Sequence, residues 1–298
     1  MRHHRGIWIF TGLVVILAAV VLSVRDANAP ASPPVFSPVD AVADELTGPQ
    51  MQMLIETMKA CLETDPQARR SNTRSLVNGI AALAEDKIYE TADTYYALGV
   101  RRAAQRDYEG AEEAYRKAIE LRPNWNWAYS GLGILMHTQA RMADAEAAFR
   151  KAIELDPGWS RAHDDLAILL RLTGRLEEAE AEALRALELR PNAVATRNNF
   201  GNLLVALKRY DEAEAEYRAA IAVEPDHPAP YYNLACLASL RGRSAEVVPL
   251  LLCAIEFDAS YREEARKDDD FDPVRDDPAF QILVNGPSTP PTLPRLPE

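Results

Sequence analysis

The chain has 298 residues, 48% of them hydrophobic, and a formal net charge of −12. That is ample apolar material for a core, while the acidic balance argues against nucleic acid, whose phosphates need a basic stripe to displace their counterions. The three cysteines, Cys61, Cys236 and Cys253, form no CxxC pair, so zinc-ribbon and thioredoxin-like chemistry is not indicated.

In chain order, Arg2, His3, His4 and Arg5 precede an apolar run over 7–24, eighteen positions without a charge. This is just long enough to span a bilayer, and the basic flank favours a cytoplasmic N-terminus. Residues 1–25 are therefore expected to form a single N-terminal transmembrane helix, leaving the rest on the non-cytoplasmic, periplasmic side. A cleaved signal peptide is the rival reading, because Ala27-Asn28-Ala29 has the form of a cleavage site. The length of the run and Pro30 just after the cut favour an uncleaved anchor. Residues 26–47, rich in Ala, Pro, Ser and Val, read as a flexible linker. In 48–91, Met51, Leu54, Ile55, Met58 and Leu62 share one helical face, and Leu76, Val77, Ile80 and Leu83 share another. That spacing predicts a helical hairpin that caps the chain from residue 92 onward.

From residue 92 the chain repeats itself. Pro123, Pro157, Pro191 and Pro225 stand at a constant interval of 34 residues. Between them the same slots hold Leu98, Leu132, Leu166, Phe200 and Leu234; Gly99, Gly133, Ala167, Gly201 and Ala235; and Ala111, Ala145, Ala179, Ala213 and Val247. A further slot runs Tyr115, Phe149, Ala183, Tyr217, Leu251. Apolar residues at i, i+3, i+4 and i+7 make each half-repeat an amphipathic helix. The small residues let two helices approach closely, and each proline ends the second helix of a pair. Five repeats are predicted, over 92–125, 126–159, 160–193, 194–227 and 228–259. Residues 260–284 read as a C-terminal capping helix and closing segment, and 285–298 as a proline-rich disordered tail.

These slots resemble the tetratricopeptide pattern W-x2-L-G-x2-Y…A-x3-F…P, over residues 92 to about 258. The resemblance implies an all-α fold, a right-handed α-solenoid of helical hairpins. It also implies that the first helix of each pair lines a concave groove that holds a partner protein or peptide. Transferring the family's contact positions gives Asp93 and Tyr96 in the first repeat and Trp127 in the second. The third supplies Arg161, Asp164, Asp165 and Arg171, the fourth Asn198, Asn199 and Asn202, and the fifth Tyr232 and Asn233. At the sixth position of the first helix, Asn199 and Asn233 match the family's asparagine, whose amide both donates to and accepts from a peptide backbone. The same asparagines could instead tie neighbouring hairpins together. Trp127, Tyr96 and Tyr232 would serve as rigid aromatic anchors.

No G-x-S-x-G, Walker, GxGxxG or H-E-x-x-H motif occurs. No catalytic residue, cofactor or metal is implied. The expected function is a non-catalytic scaffold or adaptor, tethered to the membrane. Two other readings fit the same residues: a structural unit that assembles with its own copies, and a substrate-recruiting regulatory subunit of a separately encoded enzyme. Cys236 and Cys253 fall on the two helices of the fifth hairpin, where they either pair or act as small packing residues.

Overall fold

The computed structural model describes residues 90–286, together with Asn78. The expected membrane anchor and linker, almost all of the N-terminal cap, and the tail from 287 onward lie outside the described residues. Among the described residues no helix is long and apolar enough to cross a membrane, and all regular structure is helical.

The chain divides into two compact units at Pro157 and Gly158. The first holds α1 (Ala92–Ala104), α2 (Tyr108–Leu121), α3 (Asn126–Thr138) and α4 (Met142–Leu155). The second holds α5 (Ser160–Leu172), α6 (Leu176–Leu189), α7 (Val194–Ala206), α8 (Tyr210–Val223), α9 (Pro228–Leu240) and α10 (Ser244–Phe257). It ends with α11 (Tyr261–Lys267), a 3-10 turn (Asp269–Val274) and α12 (Pro278–Asn285). Odd-numbered α1 to α9 are the first helices of hairpins, and α2 to α10 are the second.

The turns inside the hairpins share one geometry. Arg106, Ala140, Gly174, Lys208 and Gly242 occupy equivalent places with φ between 59° and 78°. The residue after each donates its amide to a carbonyl five back, for example Arg141 to Met136 and Arg209 to Leu204, both within 2.9 Å. This is the left-handed helix stop that saturates the last carbonyls of a first helix and reverses the chain. Starts are handled less uniformly. Thr91 and Thr94 form a reciprocal cap on α1, and the Asp107 carboxylate accepts from the Gly110 amide on α2. The second helices place acids such as Glu177, Glu178, Asp211 and Glu212 in their first turns, where the helix dipole favours them.

Packing within a hairpin depends on a small residue facing a ring. A Cβ added at Gly99 would stand 2.8 Å from Tyr115, one at Gly133 2.6 Å from Phe149, and one at Gly201 2.4 Å from Tyr217. Opposite, Ala111, Ala145, Ala179 and Ala213 are wholly buried and let the helices meet. Successive hairpins are also pinned by an ion pair from the turn of one to the second helix of the one before. Arg141 meets Glu112, Arg209 meets Glu180, and Arg243 meets Glu214. At the C-terminal end, Phe271 and Phe280 are fully buried with ring centres 5.4 Å apart. Arg266 and Arg275 lock this segment by donating to the carbonyls of Val284 and Asp268. Each of those phenylalanines stabilises the closure by roughly 2 kcal/mol of apolar burial.

Candidate functional site

The first helices carry the residues that slot assignment singled out, and the two units treat them differently. In the first unit, the half-buried Tyr96 on α1 lies 5.0 Å from the Trp125 ring and 5.7 Å from that of Tyr115. Trp127, also half-buried, stands in the first turn of α3. Asp93 is not a surface contact. Its carboxylate is covered and takes two hydrogen bonds from Arg122, at 2.6 and 3.1 Å. The same guanidinium lies 4.5 Å from the centre of the Trp125 ring. Arg122 went unnoticed in the sequence because it sits outside the first helices, just before the proline that ends a repeat.

In the second unit a polar rung recurs. The Asn199 amide donates to both oxygens of Asp164, at 3.1 and 3.3 Å, and the Asn233 amide donates to Asn198 Oδ1 at 2.7 Å. Each rung runs from the sixth position of one first helix to the fifth position of the preceding one. The asparagine slot therefore ties neighbouring hairpins. It is not exhausted by this, because Asn199 and Asn233 are only half-buried and their carbonyl oxygens meet no protein donor among the described residues. Arg161 holds Asp165 through Nε at 3.0 and 3.2 Å, and Asn202 accepts from the Tyr217 hydroxyl at 2.7 Å. Asn198, Asp164 and Asp165 are buried, whereas Arg161, Arg171, Asn199, Asn202 and Asn233 keep partial access to solvent.

Tyr232 requires a correction. Expected as an exposed anchor, it is 4% exposed, packed against Tyr261 and Phe271, and donates to Asp268 at 2.7 Å. The closing segment folds back over the last first helix and takes this ring for its own core. Asp268 also caps Asp270 and lies 3.8 Å from Cys236 Sγ. Cys236, Asp268 and Asp270 bring ligand atoms within 4.8 Å of one another. Burial, reinforced by Asp268 and Asp270, pushes the Cys236 thiol far above its ordinary value, so it is a protonated donor to Asp268. Cys236 and Cys253 are not joined in a disulfide.

Burial, with the neighbouring Asp165 charge, raises the Asp164 carboxyl to about 7 against the opposing pull of Asn199 and Arg161. Desolvation lowers Arg171, which pairs with no carboxylate among the described residues. Both border a small solvent-open recess with room for about one water, lined by Asp164, Ala167, Ile168 and Arg171 from α5, Ala183 from α6, and Asn199 and Leu203 from α7. Its signal in the sequence was Ala183, which stands where the neighbouring repeats carry rings.

Comparison with known proteins agrees with this architecture. Tetratricopeptide repeat models match residues 92–125 and 138–194, and a TPR repeat model matches residues 201–237. No curated protein matches the sequence. Among solved structures, PilW, a type IV pilus biogenesis factor, is 18% identical with a TM-score of 0.56, covering 64% of this chain and 90% of its own. The TPR protein TTC0263 of Thermus thermophilus is 22% identical with a TM-score of 0.52, covering 58% of this chain and 96% of its own. YrrB, a TPR protein with an unusual peptide-binding site, is 25% identical with a TM-score of 0.45, covering 63% of this chain and 96% of its own. The likeness to PilW and TTC0263 is one of fold.

Proposed function

We propose that the tetratricopeptide repeats of this chain make it a non-catalytic adaptor, which holds an extended segment of a partner protein against the first helices of its second unit. One observation carries this reading: Asn199 and Asn233 are anchored by their rungs, yet each keeps a carbonyl oxygen, and Asn233 also an amide hydrogen, for another chain. An amide fixed in this way meets a peptide backbone without losing much rotamer freedom, which lowers the entropy cost of binding. Arg161 and Asn202 extend the same polar face along α5 and α7. In this reading the apolar run at 7–24 tethers the adaptor to a membrane, with the repeats on the non-cytoplasmic side.

The test is affinity purification of the full chain from membranes washed at alkaline pH and then solubilised in detergent. The tethered adaptor stays in the washed membrane and brings down a defined set of proteins. That set is lost from the Asn199→Ala/Asn233→Ala variant at unchanged helical content. An unchanged set rejects the groove, and release of the chain by the wash rejects the tether.

A further inference from the structure

We infer that the recess at Ala183 receives the carboxylate of an aspartate or glutamate side chain, from within an extended partner segment, and that Arg171 is the group that holds it. The inference rests on the adaptor reading and specifies the chemistry of the partner.

The recess exists because one ring is missing. In the first unit Tyr115 rises from the second helix and fills the space between Gly99 on its own hairpin and Gly131 on the next, beside Tyr96. In the third repeat the equivalent places are taken by Ala183, Ala167, Asn199 and Asp164, and these four residues border the open space. A hole left by a ring is ordinarily closed by collapse or by another apolar group. Here the one cation that borders it is Arg171, half-buried and paired with no carboxylate among the described residues. A partly desolvated guanidinium is costly unless an anion meets it, and a planar carboxylate suits its fork of donors.

The other charged group at the recess does not compete for the role. Asp164 is already bonded to Asn199, so a cationic ligand gains little there. Depth favours a side chain over a chain end. Ala183 on α6 is 3% exposed and so sets the floor, while the half-buried Asn199 on α7 stands nearer solvent, at the rim. A backbone gripped by Asn199 lies at the rim, and only a side chain pointing inward reaches past it to the floor.

The test offers three pools of synthetic nonapeptides to the solubilised full chain, each random over uncharged residues except at position five. One pool has blocked ends and Glu at position five, the second has blocked ends and Gln, and the third has Gln with a free C-terminal carboxylate. Wild type is expected to retain the Glu pool about tenfold better than the blocked Gln pool, the usual worth of one charge-assisted contact. Arg171→Gln reduces that ratio to about one. Ala167→Gly/Ala183→Tyr does the same, since it restores the glycine and ring of the neighbouring repeats and fills the space. A ratio unaltered by Arg171→Gln overturns the inference, as does a preference for the free C-terminus. Retention indifferent to position five also overturns it while leaving the adaptor standing. Retention of no pool overturns it too, and the membrane purification then decides the adaptor reading by itself.

Discussion

The fourth repeat sets Tyr217 against Gly201, whereas the third, on the same backbone, sets Ala183 against Ala167. The rung on the fourth repeat ends on the neutral Asn198, and the rung on the third ends on the buried carboxyl of Asp164. The fourth repeat is thus finished as a packed core with a neutral rung. The third keeps a gap, a half-buried cation and an acid whose ionisation burial resists. A repeat scaffold tolerates such a departure because each hairpin needs only its neighbours to bury its apolar face. What differs between the two repeats is how the same layer is filled.

The largest effect is expected where that contrast is erased from the packed side. Tyr217 is 1% exposed and its hydroxyl bonds Asn202. Tyr217→Ala removes the ring from a layer that Gly201 has shaped for it, and should cost about 3–5 kcal/mol in urea unfolding. The corresponding truncation of the third repeat, Ala183→Gly, leaves an already open layer and should cost under about 1 kcal/mol. Equal losses would mean that the third layer is as tightly packed as the fourth.

The helical fold was legible because its causes are local and periodic. A proline every 34 residues, alanines at the helix crossings and glycines under rings fix the hairpins without long-range information. The site was legible only in part. The asparagine slot is marked by its recurrence in phase, but its rung to the preceding repeat joins residues 35 apart in sequence and has no local mark. Tyr232 was misjudged because the closing segment that covers it comes some forty residues later and follows no repeat. Arg122 and the turn arginines were missed because their partners lie on another helix. The N-terminal run, the linker and almost all of the helical cap lie outside the described residues.

A smaller effect tests the charged rung. The Asp164 carboxyl rises in the fold from 3.8 to about 7, chiefly through burial. The unfolded chain therefore gives up this proton at lower pH than the folded one. The contribution to stability is full below about pH 4, falls as pH rises toward 7, and is flat beyond. Asp164→Asn makes the third rung resemble the fourth, since an amide oxygen still accepts from Asn199. It should raise the unfolding free energy at pH 8 by an amount on the order of a few kcal/mol and leave it nearly unchanged at pH 4. A gain of the same size at both pH values would show that the benefit lies in packing and that Asp164 titrates normally.

The smallest effect carries the comparison from the layers to the turns. Ala140 and Gly174 hold the same place in successive hairpins, at φ 59° and 78°. Nothing lies within 4 Å of a Cβ built at Gly174, so an alanine there would be opposed by backbone conformation alone. A left-handed alanine costs about 1 kcal/mol, of which glycine's greater freedom in the unfolded chain returns roughly half. Ala140→Gly should accordingly stabilise by about 0.5 kcal/mol and Gly174→Ala should destabilise by a similar amount. The opposite signs matter more than the sizes. If both substitutions destabilised, the turn at Ala140 would owe its stability to contacts of the alanine methyl, and the two hairpins would not share one reason for their stop.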